Sequence, residues 1–180
     1  MKALIIIDMQ NGCFRPESKR YNRSGTVDQI NLLSKHFRKK NYTVIYIQHN
    51  GTKENMCIPG TSDFDLLPEL DITTTDLIVE KEANEAFYKT NLEHILKEKN
   101  INELYLCGQA SNFCLDATIK SALSKDYNIF VASDAHTTAE TIFLPAKQMI
   151  DYHNWLWENL TPTKYPVTVC TTKDIIEKYV

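Results

Sequence analysis

The chain alternates between two kinds of apolar segment, and this alternation constrains its fold more than any other feature. Short continuous runs fit strands buried on both faces, and they occupy residues 3–7, 43–47, 77–79, 103–107, 129–132 and 167–170. Helical spacing of apolar residues marks the segments between them, at Val27, Ile30, Leu33 and Phe37, at Leu92, Ile95 and Leu96, at Leu115, Ile119 and Ala122, and at Ala146, Met149, Ile150, His153 and Trp157. Strands that alternate with helices predict an α/β fold, in which helices cover both faces of a parallel sheet.

Length and charge narrow the class of protein further. The 180 residues predict one domain over residues 1–180, since single domains commonly have roughly 100–200 residues. The net charge of −3 at pH 7 argues against a nucleic-acid partner. No apolar run approaches the roughly 20 residues that span a bilayer, and the first residues lack a small-residue cleavage site. We therefore expect no membrane partner and no signal peptide.

One long stretch, residues 50–75, lacks clear periodicity. Loops of this length are usually functional. The stretch is therefore interpreted as an excursion over the sheet that serves either as a lid or as a dimer contact.

The cysteines predict free thiols. The number of cysteines is odd, and no two of them form a CxxC pair. The cysteines are Cys13, Cys57, Cys107, Cys114 and Cys170. Such a pattern is typical of a reducing cytoplasm. Cys107 ends an apolar strand, which favours a core position. Cys114 opens a helix that Ser111 or Asn112 can cap; a thiol there is near the positive end of the helix dipole, which lowers its pKa. The alternative for Cys114 is a small buried hydrophobic residue.

Two further polar residues follow predicted strands, where the active crevice of a parallel sheet lies. Asp8 follows the first strand, where a carboxylate costs free energy unless it is paired or functional; it can exchange a proton with a thiol or a leaving group, or anchor the next loop. Lys81 follows the third strand, and is either a surface lysine or a cation that stabilises neighbouring anions. With Cys114, the three side chains have the residue types of a base, a cation and a nucleophile converging on one edge.

The histidines do not predict a metal site. His49 lies in the segment QHNG, which offers no carboxylate ligand, so a substrate contact or a structural hydrogen bond is favoured. His136 and His153 are interpreted as structural, and His36 and His94 as helix-surface residues. There are only 5 glycines and no glycine-rich phosphate loop, so the dinucleotide and P-loop fingerprints fail. The sequence therefore predicts no cofactor and no metal.

In their order along the chain, these motifs resemble the isochorismatase-like cysteine hydrolase superfamily. ALIIIDMQNGCF contains Asp8, VIYIQH ends at His49, VEKEANEAFYKTNL contains Lys81 and LYLCGQASNFCLDATIKSAL contains Cys114. With the closing segment SDAHTTAETIFLPAKQMIDYHNWLWENL, they reach from residue 1 to about residue 160. The resemblance implies a three-layer α/β/α fold with a mostly parallel six-stranded sheet, usually in a homodimer or a larger homo-oligomer.

The resemblance also implies a hydrolase that cleaves the C–N bond of a small amide. Cys114 attacks the carbonyl to form a thioester, Asp8 moves the proton, Lys81 holds Asp8, and the backbone N–H groups of Ala110 and Cys114 bind the oxyanion. A cis peptide bond is implied between Gln109 and Ala110. The pocket is assigned to residues that flank the catalytic strand ends, which are Phe14, His49, Phe87 and Tyr88.

Several positions depart from the family pattern and leave alternatives open. QHNG replaces the Asp-x-His pair of the family's nicotinamidases, which disfavours a metal-dependent nicotinamidase. Cys114 argues against the vinyl-ether chemistry of true isochorismatases, which lack the nucleophile. Asn11–Gly12 replaces a common Asn–Asp, and Glu85 replaces a common small residue. The alternatives are another hydrolysis on the same fold, of isochorismatase or ureide type, and a non-catalytic binding protein.

Overall fold

The computed structural model of the chain describes residues 1–16 and 19–180. Its centre is a six-stranded sheet with strand order β3-β2-β1-β4-β5-β6, in which every neighbouring pair is parallel. The strands are β1 (Lys2–Ile7), β2 (Thr43–His49), β3 (Leu77–Lys81), β4 (Glu103–Gln109), β5 (Asn128–Thr137) and β6 (Val167–Cys170). All six predicted strands are confirmed, and the largest difference is that β5 continues to Thr137 rather than ending at Ala132.

Helices cover both faces of the sheet, so the predicted three-layer architecture is confirmed. They are α1 (Arg23–Lys39), α2 (Leu92–Glu98), α3 (Cys114–Ser124), α4 (Ala146–Glu158) and α5 (Thr172–Lys178). Buried residues of α2, α3 and α4 pack into one apolar cluster, and those of α1 and α5 into another on the opposite face. None of the helices in residues 1–16 and 19–180 has the length and apolar character needed to cross a membrane.

Strand β1 shows why the apolar runs are continuous rather than alternating. Ala3, Ile5 and Ile7 belong to the cluster on the α2–α4 side, whereas Leu4 and Ile6 belong to the cluster on the α1–α5 side. Successive side chains of a strand point to opposite faces. Because both faces are covered by helices, every position from Ala3 to Ile7 is buried.

The strand order reverses between β1 and β4, and this position determines where a site can form. In open parallel sheets, the crevice lies beyond the carboxyl ends of the strands at such a switch point. Gly108 lies near the end of β4 with φ +108, and a Cβ there would collide with the backbone of Ile7. Only glycine allows β1 and β4 to approach this closely at the mouth of the crevice.

Residues 50–75 pack against the segment that follows β1. The N–H groups of Asn11 and Gly12 donate to the carbonyls of Asp65 and Asp63, both at 2.9 Å, and Leu67 N–H donates to Met9 O at 2.9 Å. The excursion therefore borders the crevice, and its role as a lid or a dimer contact stays a prediction.

Candidate active site

The structure brings Asp8, Lys81 and Cys114 together at the carboxyl edge of the sheet. Asp8 follows β1 with φ 52, Lys81 ends β3, and Cys114 begins α3. Lys81 Nζ donates to Asp8 Oδ2 at 2.9 Å and lies 3.4 Å from Cys114 Sγ. Because β2 lies between β1 and β3, the lysine side chain reaches past the end of β2 to make both contacts.

Lys81 is held as a buried cation. Its side chain is 0% exposed and that of Asp8 is 3% exposed. Besides Asp8 and Cys114, Nζ donates to Ala83 O at 2.9 Å, so it contacts three acceptors. Burial acts to lower the pKa of Lys81, but Asp8 and Cys114 outweigh it and raise that pKa. The lysine therefore stays protonated, with a carboxylate and a sulfur on either side of the charge.

The Cys114 thiol is less acidic than its position at a helix N-terminus predicts. Burial, followed by the negative charge of Asp8, raises the pKa of Cys114 to about 12, and Lys81 only partly offsets the rise. The prediction of a lowered pKa is wrong, because desolvation and the charge of Asp8 disfavour the thiolate more than Lys81 favours it. The resting group is a thiol, and a base must take its proton before it can attack.

The caps predicted for α3 are also wrong. The residue before the helix is Phe113, and no side chain caps the helix N-terminus. Ser111 Oγ instead bonds His136 Nδ1 at 2.8 Å, and Asn112 Oδ1 accepts from Thr138 Oγ1 at 2.6 Å. Residues at the end of β5 and directly after it thus hold both side chains away from the helix end.

Asp8 has one carboxylate oxygen available for proton transfer. Oδ2 accepts from Lys81, whereas Oδ1 is buried and has no hydrogen-bond partner among the described residues. A buried acceptor without a partner is uncommon in folded proteins, and such atoms concentrate at sites that bind water or ligands. The free oxygen is thus suited to accept a proton next to the thiol.

The turn between β4 and α3 presents two free backbone donors. The peptide bond between Gln109 and Ala110 is cis, as the resemblance implies. Within the described residues, Ser111 N–H donates to Thr137 O, but the N–H groups of Ala110 and Cys114 donate to no acceptor. Two such donors beside a nucleophile can hold the oxyanion of an acyl-transfer reaction.

A cavity of about 380 Å³ lies against Lys81. Its lining is mainly charged, and consists of Lys53, Glu80, Lys81, Glu82, Tyr88 and Lys89. Of the predicted pocket residues, Tyr88 therefore lines a cavity that touches Lys81, but neither Asp8 nor Cys114 is among its lining residues.

The other predicted pocket residues have different surroundings. His49 Nδ1 is buried without a partner in the described chain, and burial, followed by the charge of Lys81, lowers the His49 pKa. Phe14 is 9% exposed, with the Arg23 guanidinium 5.4 Å from its ring.

Phe87 is 8% exposed and stacks on Tyr127 at 5.9 Å. Because Tyr127 precedes β5, the contact places Phe87 in the core toward the amino edge of the sheet. It does not support the prediction that Phe87 lines the pocket.

Sequence reasoning missed several polar side chains that build the site. Gln10 donates to the carbonyls of His49 and Phe64, both at 3.0 Å, and so ties β2 to the excursion. Gln10 closely follows an apolar strand, so the rule that selected Asp8 could have selected it. Gln109, which the resemblance assigned only to the cis peptide bond, also donates from Nε2 to Asp8 O at 3.0 Å. Asn84, whose Oδ1 lies 3.6 Å from Cys114 Sγ, carries no comparable signal.

The remaining cysteines and histidines lie outside this cluster. All five cysteines are free, and Cys107 is buried, as predicted. Cys13 and Cys57 lie with their sulfur atoms 3.7 Å apart. His136 and His153 are buried and hydrogen-bonded, in agreement with a structural interpretation. Across residues 1–16 and 19–180, no group of three or more His, Cys, Asp or Glu side chains could hold a metal ion.

A comparison with known families shows which family the chain belongs to, because the isochorismatase domain matches residues 2–174. This chain belongs to the isochorismatase family. As an isochorismatase-family hydrolase, it is 30% identical over 140 residues to the uncharacterized isochorismatase family protein YddQ of Bacillus subtilis, covering 76% of this chain and 77% of that protein. Nicotinamidase 3 of Arabidopsis thaliana is 28% identical over 150 residues, with 76% and 73% covered. A crystal structure of an isochorismatase family protein matches with a TM-score of 0.87 and 28% identity, over 94% of this chain and 98% of that one.

Proposed function

We propose that this isochorismatase-family hydrolase cleaves the C–N bond of a small amide through a thioester on Cys114. The observation that carries the proposal is the buried cluster in which Lys81 Nζ lies 2.9 Å from Asp8 and 3.4 Å from Cys114. A thiol, a carboxylate with a free oxygen and two free backbone donors supply a nucleophile, a base and an oxyanion site. The relationship to a protein named nicotinamidase supports an amide substrate.

The first half of the reaction forms the thioester. Asp8 Oδ1 takes the proton of the Cys114 thiol, and the sulfur attacks the amide carbonyl carbon. The carbonyl oxygen becomes an oxyanion, which the N–H groups of Ala110 and Cys114 bind. When the tetrahedral intermediate collapses, the C–N bond breaks, and Asp8 gives its proton to the leaving nitrogen. Ammonia or an amine departs, and the acyl group stays on sulfur.

The second half regenerates the enzyme. Asp8 takes a proton from a water molecule, whose oxygen attacks the thioester carbon in the same oxyanion site. The C–S bond breaks, the acid departs, and the proton on Asp8 returns to the Cys114 sulfur. Lys81 keeps its charge throughout, because its role is to orient Asp8 and to stabilise the carboxylate and the thiolate as each forms.

A direct test uses a panel of small amides with detection of released ammonia or amine. We expect wild type to hydrolyse at least one member, and Cys114→Ala to lose this turnover. Cys170→Ala is the matched control, because Cys170 is a half-buried free thiol at the end of β6 and should retain full turnover. Acid quenching during turnover should trap an acyl group on the peptide that contains Cys114.

The alternatives give different results in the same experiment. Full turnover by Cys114→Ala would refute the thioester mechanism. Hydrolysis without release of ammonia or an amine would indicate another reaction on the same fold. A third outcome would indicate a binding protein. In that case wild type hydrolyses no substrate, and iodoacetamide does not alkylate its Cys114.

A further inference from the structure

A buried chain of hydrogen bonds joins the turn before α3 to β5 and α4. Ser111 Oγ lies 2.8 Å from His136 Nδ1, and His136 Nε2 lies 2.9 Å from Asn154 Oδ1. Asn154 Nδ2 in turn donates to Ser133 O at 3.2 Å. Ser111 is 0% exposed and His136 is 3% exposed. The proposed reaction does not use any of these side chains directly.

The direction of each hydrogen bond follows from the far end of the chain. Because Asn154 Nδ2 donates to Ser133 O, its Oδ1 faces His136 and can only accept. His136 Nε2 must therefore carry the hydrogen. Burial lowers the pKa of His136 to about 4, so the ring is neutral near pH 7 and Nδ1 is an acceptor. The Ser111 hydroxyl hydrogen is consequently directed at His136.

This order of serine, histidine and amide resembles a nucleophilic triad, but its surroundings exclude that role. Ser111 is completely buried, so a substrate has no access to its oxygen. The third member is a neutral asparagine, which stabilises an imidazolium poorly compared with a carboxylate. The low pKa of His136 also makes it a weak base. The chain therefore serves to hold a conformation.

The conformation that it holds affects a donor of the oxyanion site. A serine in a turn that leads into a helix can accept from a backbone N–H two or three residues later. Ser111 lies three residues before Cys114, with Phe113 directly before the helix. In the structure this capping bond is absent from α3, because the hydroxyl lies against His136. The rotamer that reaches His136 thus keeps Ser111 Oγ from occupying the Cys114 N–H.

We propose that His136 and Asn154 are positioning residues that keep the Cys114 N–H free by holding the Ser111 hydroxyl on the β5 side of the turn. The inference rests on the function proposed above, because it concerns the oxyanion site of that reaction. Two neighbouring bonds fix the same turn to the end of β5 and the residue after it, from Ser111 N–H to Thr137 O at 3.0 Å and from Thr138 Oγ1 to Asn112 Oδ1 at 2.6 Å. His136 adds the bond that selects the serine rotamer.

Two reagents separate oxyanion stabilisation from thiol reactivity. p-Nitrophenyl acetate acylates a thiol through a tetrahedral oxyanion, whereas iodoacetamide alkylates it at a saturated carbon and forms no oxyanion. Both rates are measured as modification of the peptide that contains Cys114, by peptide mass mapping, and the same peptide of Cys114→Ala shows that the modification is on the sulfur. Their ratio reports the oxyanion site and cancels any general change in access to the sulfur.

We expect His136→Leu to lower the acylation rate about 10- to 100-fold, somewhat less than the complete loss of one oxyanion donor, and to leave the alkylation rate within about twofold. His136→Asn, whose side-chain oxygen can accept from Ser111, should retain most of the acylation rate. Asn154→Ala, on α4 and remote from the turn, should lower the ratio in the same direction by a smaller factor. This third variant keeps the test usable if His136→Leu does not fold.

The outcomes distinguish this inference from the proposed function. An unchanged ratio of acylation to alkylation in a folded His136→Leu or Asn154→Ala protein would overturn the positioning role. This includes a proportional fall of both rates, which is what a merely structural role predicts. If Cys114→Ala instead keeps the wild-type rate of amide hydrolysis, the proposed function itself is wrong, whatever the His136 variants do.

Discussion

Two buried polar clusters lie side by side at the carboxyl edge of the sheet, and they differ in how completely they are hydrogen-bonded. In the described chain, the buried side-chain atoms without a partner are Asp8 Oδ1, His49 Nδ1 and Gln109 Oε1, and all three lie at or next to the candidate catalytic cluster. In the neighbouring cluster, formed by Ser111, His136 and Asn154, both ring nitrogens of His136 have hydrogen-bond partners. Unpaired atoms are available to water and substrate, whereas a satisfied network holds a shape.

The clusters also differ in charge. The first contains an ion pair between Lys81 and Asp8, and the pKa of Lys81 is raised by its neighbours despite burial. In the second, burial lowers the pKa of His136 and keeps the ring neutral. In the proposed reaction, the first cluster moves protons and the second keeps them in place, and four predictions test this division.

The largest effect is expected for Asp8→Asn, which removes the base and its charge. Acylation of Cys114 and amide turnover should fall about 10²- to 10⁴-fold, the usual contribution of a general base. Because the charge of Asp8 raises the pKa of the Cys114 thiol, its removal should lower that pKa and leave Lys81 to act on the sulfur alone. Alkylation by iodoacetamide near about pH 9 should therefore become faster. A parallel fall of acylation and alkylation would contradict the role of Asp8.

Lys81→Met should destabilise the fold by leaving the Asp8 carboxylate buried without its cation. Breaking a buried ion pair typically costs about 3–5 kcal/mol. The matched control is Lys147→Met, which breaks an exposed pair with Asp151 and should cost much less, because water and salt screen exposed pairs. Urea unfolding at neutral pH measures both. Equal losses in the two variants would show that burial does not distinguish the pairs.

His136→Asn should change how stability depends on pH. In the folded state the pKa of His136 is about 4, below its ordinary value of 6.5. As pH falls below 6.5, the unfolded chain binds a proton at His136 that the folded chain does not. The free energy of unfolding therefore falls by about 3 kcal/mol between pH 6.5 and pH 4.

Urea unfolding at pH values across this window tests the prediction for His136. The variant should lose less free energy of unfolding than wild type as pH falls. The titratable groups whose charges act on the ring are His153, Asp134 and Asp151, and both proteins contain them, so their contribution cancels in the comparison. Parallel pH profiles would mean that His136 is not kept neutral by burial.

The smallest effect is expected for Asn84→Ala. Asn84 is exposed, and its Oδ1 lies 3.6 Å from Cys114 Sγ, which is a weak contact at the edge of the candidate catalytic cluster. Loss of one such hydrogen bond should change the acylation rate by about two- to tenfold. A loss as large as that of Asp8→Asn would place Asn84 among the groups that move protons and would redraw the boundary of the cluster.

The parts of the molecule that depend on local pattern were predictable from sequence. Burial on both faces makes each strand an apolar run, so the ends of the runs located Asp8, Lys81 and Cys114 next to a common edge. The helix α5 was missed, because it has only seven residues and buries only Thr172 and Ile175. A pattern this short is too weak to separate a helix from a loop.

The errors arose where distant residues decide the outcome. The pKa of Cys114 is set by burial and by Asp8, a residue 106 positions earlier in the chain, rather than by its own helix. Ser111 does not cap α3, because His136 on β5 accepts its hydroxyl hydrogen. Each of these partners becomes adjacent only after the sheet has assembled.

The reach of Lys81 across the end of β2 has a consequence for folding. Its contacts with Asp8 and Cys114 span 73 and 33 residues of sequence, and they require β1, β2, β3 and α3 to be docked together. Contacts of such long range form late compared with local helices, because the entropy of closing large loops opposes them. During refolding, recovery of Cys114 acylation would therefore report the assembly of this half of the sheet, whereas helical circular dichroism would recover before it.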